Sequence, residues 1–227
     1  IKLIGEPGQL YSYQNVAYSL IDPVMQAATG KSYAAQMQLH VFEPLQMKDA
    51  SLSYDEMINH PNIALPHEQS TPTEITTTYY NVAPAGGVNA SISDMAQWLT
   101  ALNGRRPEII SKTTLGQLFR PLTKTPVKNR YFGKWAQIKK AYYGLGFRIL
   151  DYNNDLVAYH GGYVNGYRCE VAVYPKTGLG ICVMANAATE LSNQSVPAFL
   201  NLYQQHSKAI EYWEAQIRAR QKLSLQK

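Results

Sequence analysis

Tyr167-Arg168-Cys169-Glu170-Val171-Ala172-Val173-Tyr174-Pro175-Lys176-Thr177-Gly178-Leu179-Gly180-Ile181-Cys182-Val183-Met184-Ala185 reads as two apolar runs joined by a Pro-x-x-Gly turn. Branched and aromatic residues on both sides of turn residues predict a β-hairpin. Runs of the same kind at 144–151 and 156–160 precede it and extend the hairpin to an antiparallel meander. With the turn centred near Lys176 and Thr177, Cys169 and Cys182 do not fall opposite one another. Buried free thiols are therefore expected rather than a disulfide, and cysteine usage leaves the compartment open.

Upstream of the meander the period changes. After Asn15, the positions Val16, Ala17, Leu20, Ile21, Val24, Met25 and Ala28 recur at helical spacing up to Gly30, with a kink expected at Pro23. Ser32 is placed to cap a second helix running toward Pro44. Residues 54–78 are polar, without periodicity, and read as a long surface excursion of the kind that borders binding sites. Pro84-Ala85-Gly86-Gly87-Val88 reads as a tight turn. Ser91-Ile92-Ser93-Asp94 forms a capping box ahead of a helix that stops at Gly104, and Ser111 caps a short one through Phe119. Downstream, 195–220 outlines an amphipathic helix. A helical front, an antiparallel sheet and a closing helix make an α+β chain, without internal repeats.

Composition bounds the rest. A chain of 227 residues with 45% hydrophobic residues can build a core. The formal charge of +5 is spread thinly, since only 16% of residues are charged, and a solvated surface is expected rather than a nucleic-acid partner. No apolar stretch approaches the roughly 20 residues that span a bilayer. His40, His60, His67 and His206 share no metal-ligand spacing, and no metal or organic cofactor is implied. Trp98 and Trp213 are expected to pack in helices, and Trp135 lies in an irregular segment.

Several separated blocks then agree in order: Pro7-Gly8-x-x-Tyr11-x-Tyr13-x-Asn15, Thr29-Gly30-Lys31-Ser32-Tyr33, Phe42-x-Pro44-Leu45-x-Met47, Pro84-Ala85-Gly86-Gly87, Asp94-Met95-Ala96-x-Trp98, Tyr143-Gly144-Leu145-Gly146-Phe147 and His160-Gly161-Gly162. Together they resemble signatures of the serine β-lactamase and penicillin-binding-protein superfamily, in particular the branch of class C β-lactamases, D-aminopeptidases, DD-carboxypeptidases and esterases. The resemblance implies a β-lactamase/transpeptidase-like fold of which this is the C-terminal portion, its N-terminal strands and helix missing. Residues 1–130, mostly helical, and 131–227, sheet and closing helix, would be two regions of one incomplete catalytic domain.

In that chemistry a serine activated by a lysine attacks an amide or ester carbonyl and forms an acyl-enzyme. The resemblance assigns Tyr13 to proton transfer, Asn15 to the substrate carbonyl, His160 to the position usually held by a lysine, and Gly161 and Gly162 to the strand beside the substrate. Tyr13 could be a base at neutral pH only with cations nearby to stabilise its phenolate. The nucleophile itself is not found. Ser224-Leu225-Gln226-Lys227 spells Ser-x-x-Lys at the chain's end, where a nucleophile cannot be held rigidly, and Lys176-Thr177-Gly178 spells the β-lactamase triad inside a hairpin turn.

The implied function is a hydrolase of β-lactams, D-amino-acid peptides or small esters, inactive as this chain alone, with a periplasmic or secreted location. The implied partners are a small-molecule or peptide substrate and a missing segment or companion polypeptide carrying Ser-x-x-Lys. Self-association through an exposed edge is also expected. The alternative is a non-catalytic ligand-binding or assembly module of the same fold.

Overall fold

In a computed structural model of the chain, residues 5–6, 8–127, 132 and 135–224 are described, without the side chains of 190, 193, 208–209 and 214–224. Pro7 and residues 225–227 of the terminal Ser-x-x-Lys lie outside the described residues.

The meander is longer than its sequence signals. Six strands pair antiparallel in chain order: β3 (Thr123–Thr125), β4 (Ile138–Tyr143), β5 (Arg148–Tyr152), β6 (Asp155–Val164), β7 (Tyr167–Tyr174) and β8 (Leu179–Ala185). The first lies ahead of position 131. β1 (His67–Glu68) and β2 (Thr71–Pro72) form a separate ladder inside the polar excursion. Tight turns join β5 to β6 through Asn153-Asn154 and β6 to β7 through Asn165-Gly166, all at positive φ, which asparagine and glycine tolerate.

The first predicted helix is two: α1 (Asn15–Ser19) and α2 (Ile21–Thr29). The break falls at Leu20 and not at Pro23. Pro23 sits in the first turn of α2, where its missing N–H has no helical partner to lose. Ser32 caps α3 (Tyr33–Met37), accepting from the Ala35 amide at 3.2 Å, and a π-helical turn, Gln38–Phe42, leads into α4 (Glu43–Leu45). α5 (Tyr54–Asn59), capped by Ser53, opens the polar excursion. The glycine turn is a single helical turn, α6 (Ala83–Gly86). α7 (Ile92–Leu102) carries the full capping box of Ser91 and Asp94, and α8 (Lys112–Leu118) follows Ser111. The closing helix, α9 (Glu190–Ser224), starts earlier than its pattern suggested and runs through Pro197.

The sheet divides two cores. One face packs Trp135, Tyr152, Val157, Tyr159 and Tyr174 against Val196 and Leu200 of α9. Trp135 is thus a core residue, its ring 4.8 Å from that of Tyr159, whereas Trp213 is 62% exposed. The other face packs Phe147, Ile149, Ala158 and Val173 against Phe42, Leu45, Ala101 and Leu102 of the helical layer.

Candidate active site

β5 pairs with β6 only up to Tyr159, opposite Arg148, while β7 follows β6 to Val164. Residues 160–164 therefore have β7 on one side and, among the described residues, no strand on the other. His160 is the first residue beyond the β5 pairing.

Its orientation comes from the Tyr-Gly-Leu-Gly-Phe block. Gly144 lies so close to the Arg120 carbonyl that a Cβ there would stand 2.9 Å from its oxygen, and Gly146 sits at φ +81°. The turn, closed by the Gly144 amide donating to the Phe147 carbonyl at 2.7 Å, aims the Gly146 carbonyl at His160 Nδ1. A carbonyl only accepts, so Nδ1 carries the proton and Nε2 of the neutral ring presents its lone pair. Tyr13 Oη lies 3.3 Å from that Nε2 and donates to it, joining residues 147 apart in sequence. Burial pushes the His160 imidazole below its ordinary pKa; the Gly146 hydrogen bond opposes this and the Arg148 charge adds to it.

Tyr13 belongs to a cluster of rings. Tyr11 stacks on Tyr143 at 4.7 Å between centroids, and Tyr13 meets Tyr143 edge-on at 6.2 Å. The Arg148 guanidinium lies 5.7 Å from the Tyr13 centroid, 5.7 Å from Tyr143 and 5.6 Å from Phe132. The cation that the tyrosine lacks in sequence is thus Arg148, which sequence reasoning missed because an arginine at a strand start is unremarkable. It does not make Tyr13 a phenolate: burial raises the Tyr13 pKa, and Arg148 only partly offsets this.

Asn15 opens α1 and lines a cavity of about 1760 Å³ with Tyr13, Arg148, His160, Gly161 and Gly162. All five residues singled out in the sequence therefore meet in one place. A Cβ added to Gly162 would meet nothing within 4 Å, so the face of the strand there has room for a ligand. Behind it, buried Glu170, opposite Gly161, is held by the Tyr159 hydroxyl and by Arg168. The polar excursion forms the far wall, fastened where the Tyr167 hydroxyl donates to the Ala64 carbonyl at 2.7 Å and the Asn186 amide to Leu65 at 2.9 Å.

Lys176 sits in the β7–β8 turn, 68% exposed, with Nζ 2.8 Å from Asp155, and is not in the cavity wall. Among the described residues, no group of three or more His, Cys, Asp and Glu side chains could hold a metal, and no helix is long and apolar enough to cross a membrane.

The chain is 29% identical over 202 residues to the D-aminopeptidase of Gluconobacter oxydans, covering 87% of this chain and 36% of that enzyme. It is 25% identical over 189 residues to the unguisins hydrolase ungD' of Aspergillus campestris, covering 79% of this chain and 34% of that protein. It thus spans about a third of the length of these curated relatives. Among solved structures, the octameric penicillin-binding protein homologue of Pyrococcus abyssi superposes with a TM-score of 0.72 at 21% identity, over 87% of this chain and 44% of that one. A class C β-lactamase mutant superposes with a TM-score of 0.68 at 16% identity, over 90% of this chain and 61% of that one. The family model described as Beta-lactamase matches residues 1–204, and with this sheet between two cores and the ordered motif blocks converging on one cavity, the chain belongs to the Beta-lactamase family and has the β-lactamase/transpeptidase-like fold.

Proposed function

We propose that this chain supplies the tyrosine, asparagine and histidine side of a serine acyl hydrolase acting on β-lactams, D-amino-acid peptides or small esters, the serine and its lysine coming from a Ser-x-x-Lys segment or companion polypeptide. The observation that carries the reading is the Tyr13–His160 contact at 3.3 Å in the wall of the cavity that Gly161 and Gly162 also line. The cavity's size supports the second half of the proposal. About 1760 Å³ exceeds the roughly 300–1,000 Å³ of a small-molecule pocket and leaves room for a chain segment as well as a substrate.

In this arrangement the serine hydroxyl attacks the substrate carbonyl and passes its proton to the Tyr13 oxygen, while Tyr13 passes its own to His160 Nε2. The neutral His160 ring, fixed by Gly146, accepts it. The proton then returns by the same route to the leaving group. Asn15 offers its amide to the acyl carbonyl, and the acyl chain lies in the open space beside Gly162. By itself the chain binds without turnover, which is the non-catalytic reading confined to the isolated chain.

The test is intact-mass analysis after reaction with a β-lactam and with an activated ester. The chain is produced alone and joined to the Ser-x-x-Lys segment of its parent gene. An acyl adduct on the serine of the joined protein, and none on the chain alone, is expected. An adduct on the chain alone, or a joined protein that binds both probes but acylates with neither, refutes the hydrolase reading.

A further inference from the structure

Cys169 and Cys182 are unbonded thiols, both only partly buried, on the sheet face that looks toward the helical layer. The register pairs Cys169 with Met184 and Val171 with Cys182, so the cysteines are diagonal neighbours on one face. Diagonal neighbours stand about 7–8 Å apart, near or beyond the limit of about 7 Å between the Cα atoms of a disulfide. The thiols are close enough to share a hydrogen bond, while their diagonal placement disfavours a disulfide between them. Their surroundings also differ. Cys169 lies opposite Gly162 and lines the cavity, whereas Cys182 is not among the cavity-lining residues. The space beside Gly162 is open, so a group added to Cys169 has room to extend.

We propose that Cys169 is a modification site for small disulfides, forming a persistent mixed disulfide that projects into the cavity beside Gly162. The Cys169 thiolate attacks one sulfur of the disulfide; a new sulfur–sulfur bond forms, the original one breaks, and the departing thiolate takes up the proton that Cys169 gave up. Cys182 serves as the hydrogen-bond donor. Its thiol, donating toward Cys169, is the largest influence holding Cys169 below its ordinary pKa, with burial opposing and Arg168 assisting, while Cys182 itself is pushed up. Because Cys182 is diagonal and held protonated, it does not displace the incoming group. The exchange needs neither Tyr13 nor His160 and stands apart from the hydrolase reading.

The folded chain is incubated with glutathione disulfide, followed by intact mass and peptide mapping over time. One adduct at Cys169 is expected, formed about tenfold faster than at Cys182. Cys182→Ala slows it, and Cys182→Ser, which keeps a donor of similar size, restores it. That second variant keeps the test decisive should Cys182→Ala fail to fold. Equal labelling of both thiols, first labelling at Cys182, a rate unchanged by Cys182→Ala, or loss of the adduct to a 169–182 disulfide each overturns the proposal.

Discussion

At the residue scale the site turns on which atom holds which proton. His160 is buried and accepts from Tyr13 at Nε2, both of which favour the neutral ring, while the hydrogen bond that Nδ1–H donates to the Gly146 carbonyl fixes the tautomer and partly opposes them. Its folded pKa lies below the ordinary value of about 6.5. The unfolded chain then binds more protons in the window between the two values, so this group's contribution to stability is complete above pH about 6.5 and is lost as the pH falls through the folded pKa. A ring-proton NMR titration is expected to show His160 titrating below the ordinary histidine value of about 6.5. Tyr13→Phe removes the O–H that favours the neutral ring, so the His160 midpoint should move up; a midpoint that stays put or falls contradicts the donor assignment. Tyr13, Asn15 and His160 were legible as residues because their motif blocks are short and ordered. The direction of the hydrogen bond was not, because it depends on the Gly146 carbonyl, whose aim follows from a backbone turn rather than from a side chain. Arg148 escaped for a related reason: its role comes from rings contributed by positions 11, 13, 132 and 143, which the sequence does not bring together.

At the scale of elements, legibility followed the locality of the forces. The capping box of α7 is written within four residues, and the structure reproduces it: Ser91 accepts from the Asp94 amide at 3.2 Å and Asp94 accepts from the Ser91 amide at 2.9 Å. Ser91→Ala should cost about 1 kcal/mol of unfolding free energy in denaturant titration. Asp94 is only 3% exposed, and its carboxylate also faces the Asp49 amide, so Asp94→Ala should cost more than Ser91→Ala. Equal costs mean that the box is a surface feature and not a junction. β7 and β8 were legible because an apolar hairpin and its turn lie together in sequence. β3 and β4 were missed because they are specified by partners. Polar Thr123, Lys124 and Thr125 become a strand by pairing with Tyr143, Tyr142 and Ala141, and Lys139-Lys140 interrupts the apolar pattern of β4 where its register with β5 shifts. α9 begins before its apolar stripe, at Glu190, where the Thr189 hydroxyl accepts from the amide of buried Ser192 at 3.5 Å.

At the scale of the whole molecule, the apolar spacing that announced α1 and α2 does not find a core. Val16, Leu20 and Val24 are 72%, 61% and 60% exposed, and neither helix contains a buried residue. A face patterned for burial yet open to water leaves the hydrophobic contribution of those side chains unrealised, and it is attractive to any apolar surface, including another copy of this chain. The strand edge at 160–164, along which no described strand pairs on the β5 side, adds to the same attraction. Sedimentation velocity of the chain is therefore expected to show concentration-dependent self-association. The Leu20→Gln/Val24→Gln double variant should weaken it while shifting unfolding free energy by no more than about 1 kcal/mol, because the side chains removed bury little within the chain. The companion segment invoked for catalysis would act at this surface as well as in the cavity, so its addition should dissociate the oligomer of the unmodified chain. A chain that is monomeric at every concentration, or a double variant that unfolds, would mean that this face is already satisfied within the molecule and that the spacing of Val16, Leu20 and Val24 has another origin.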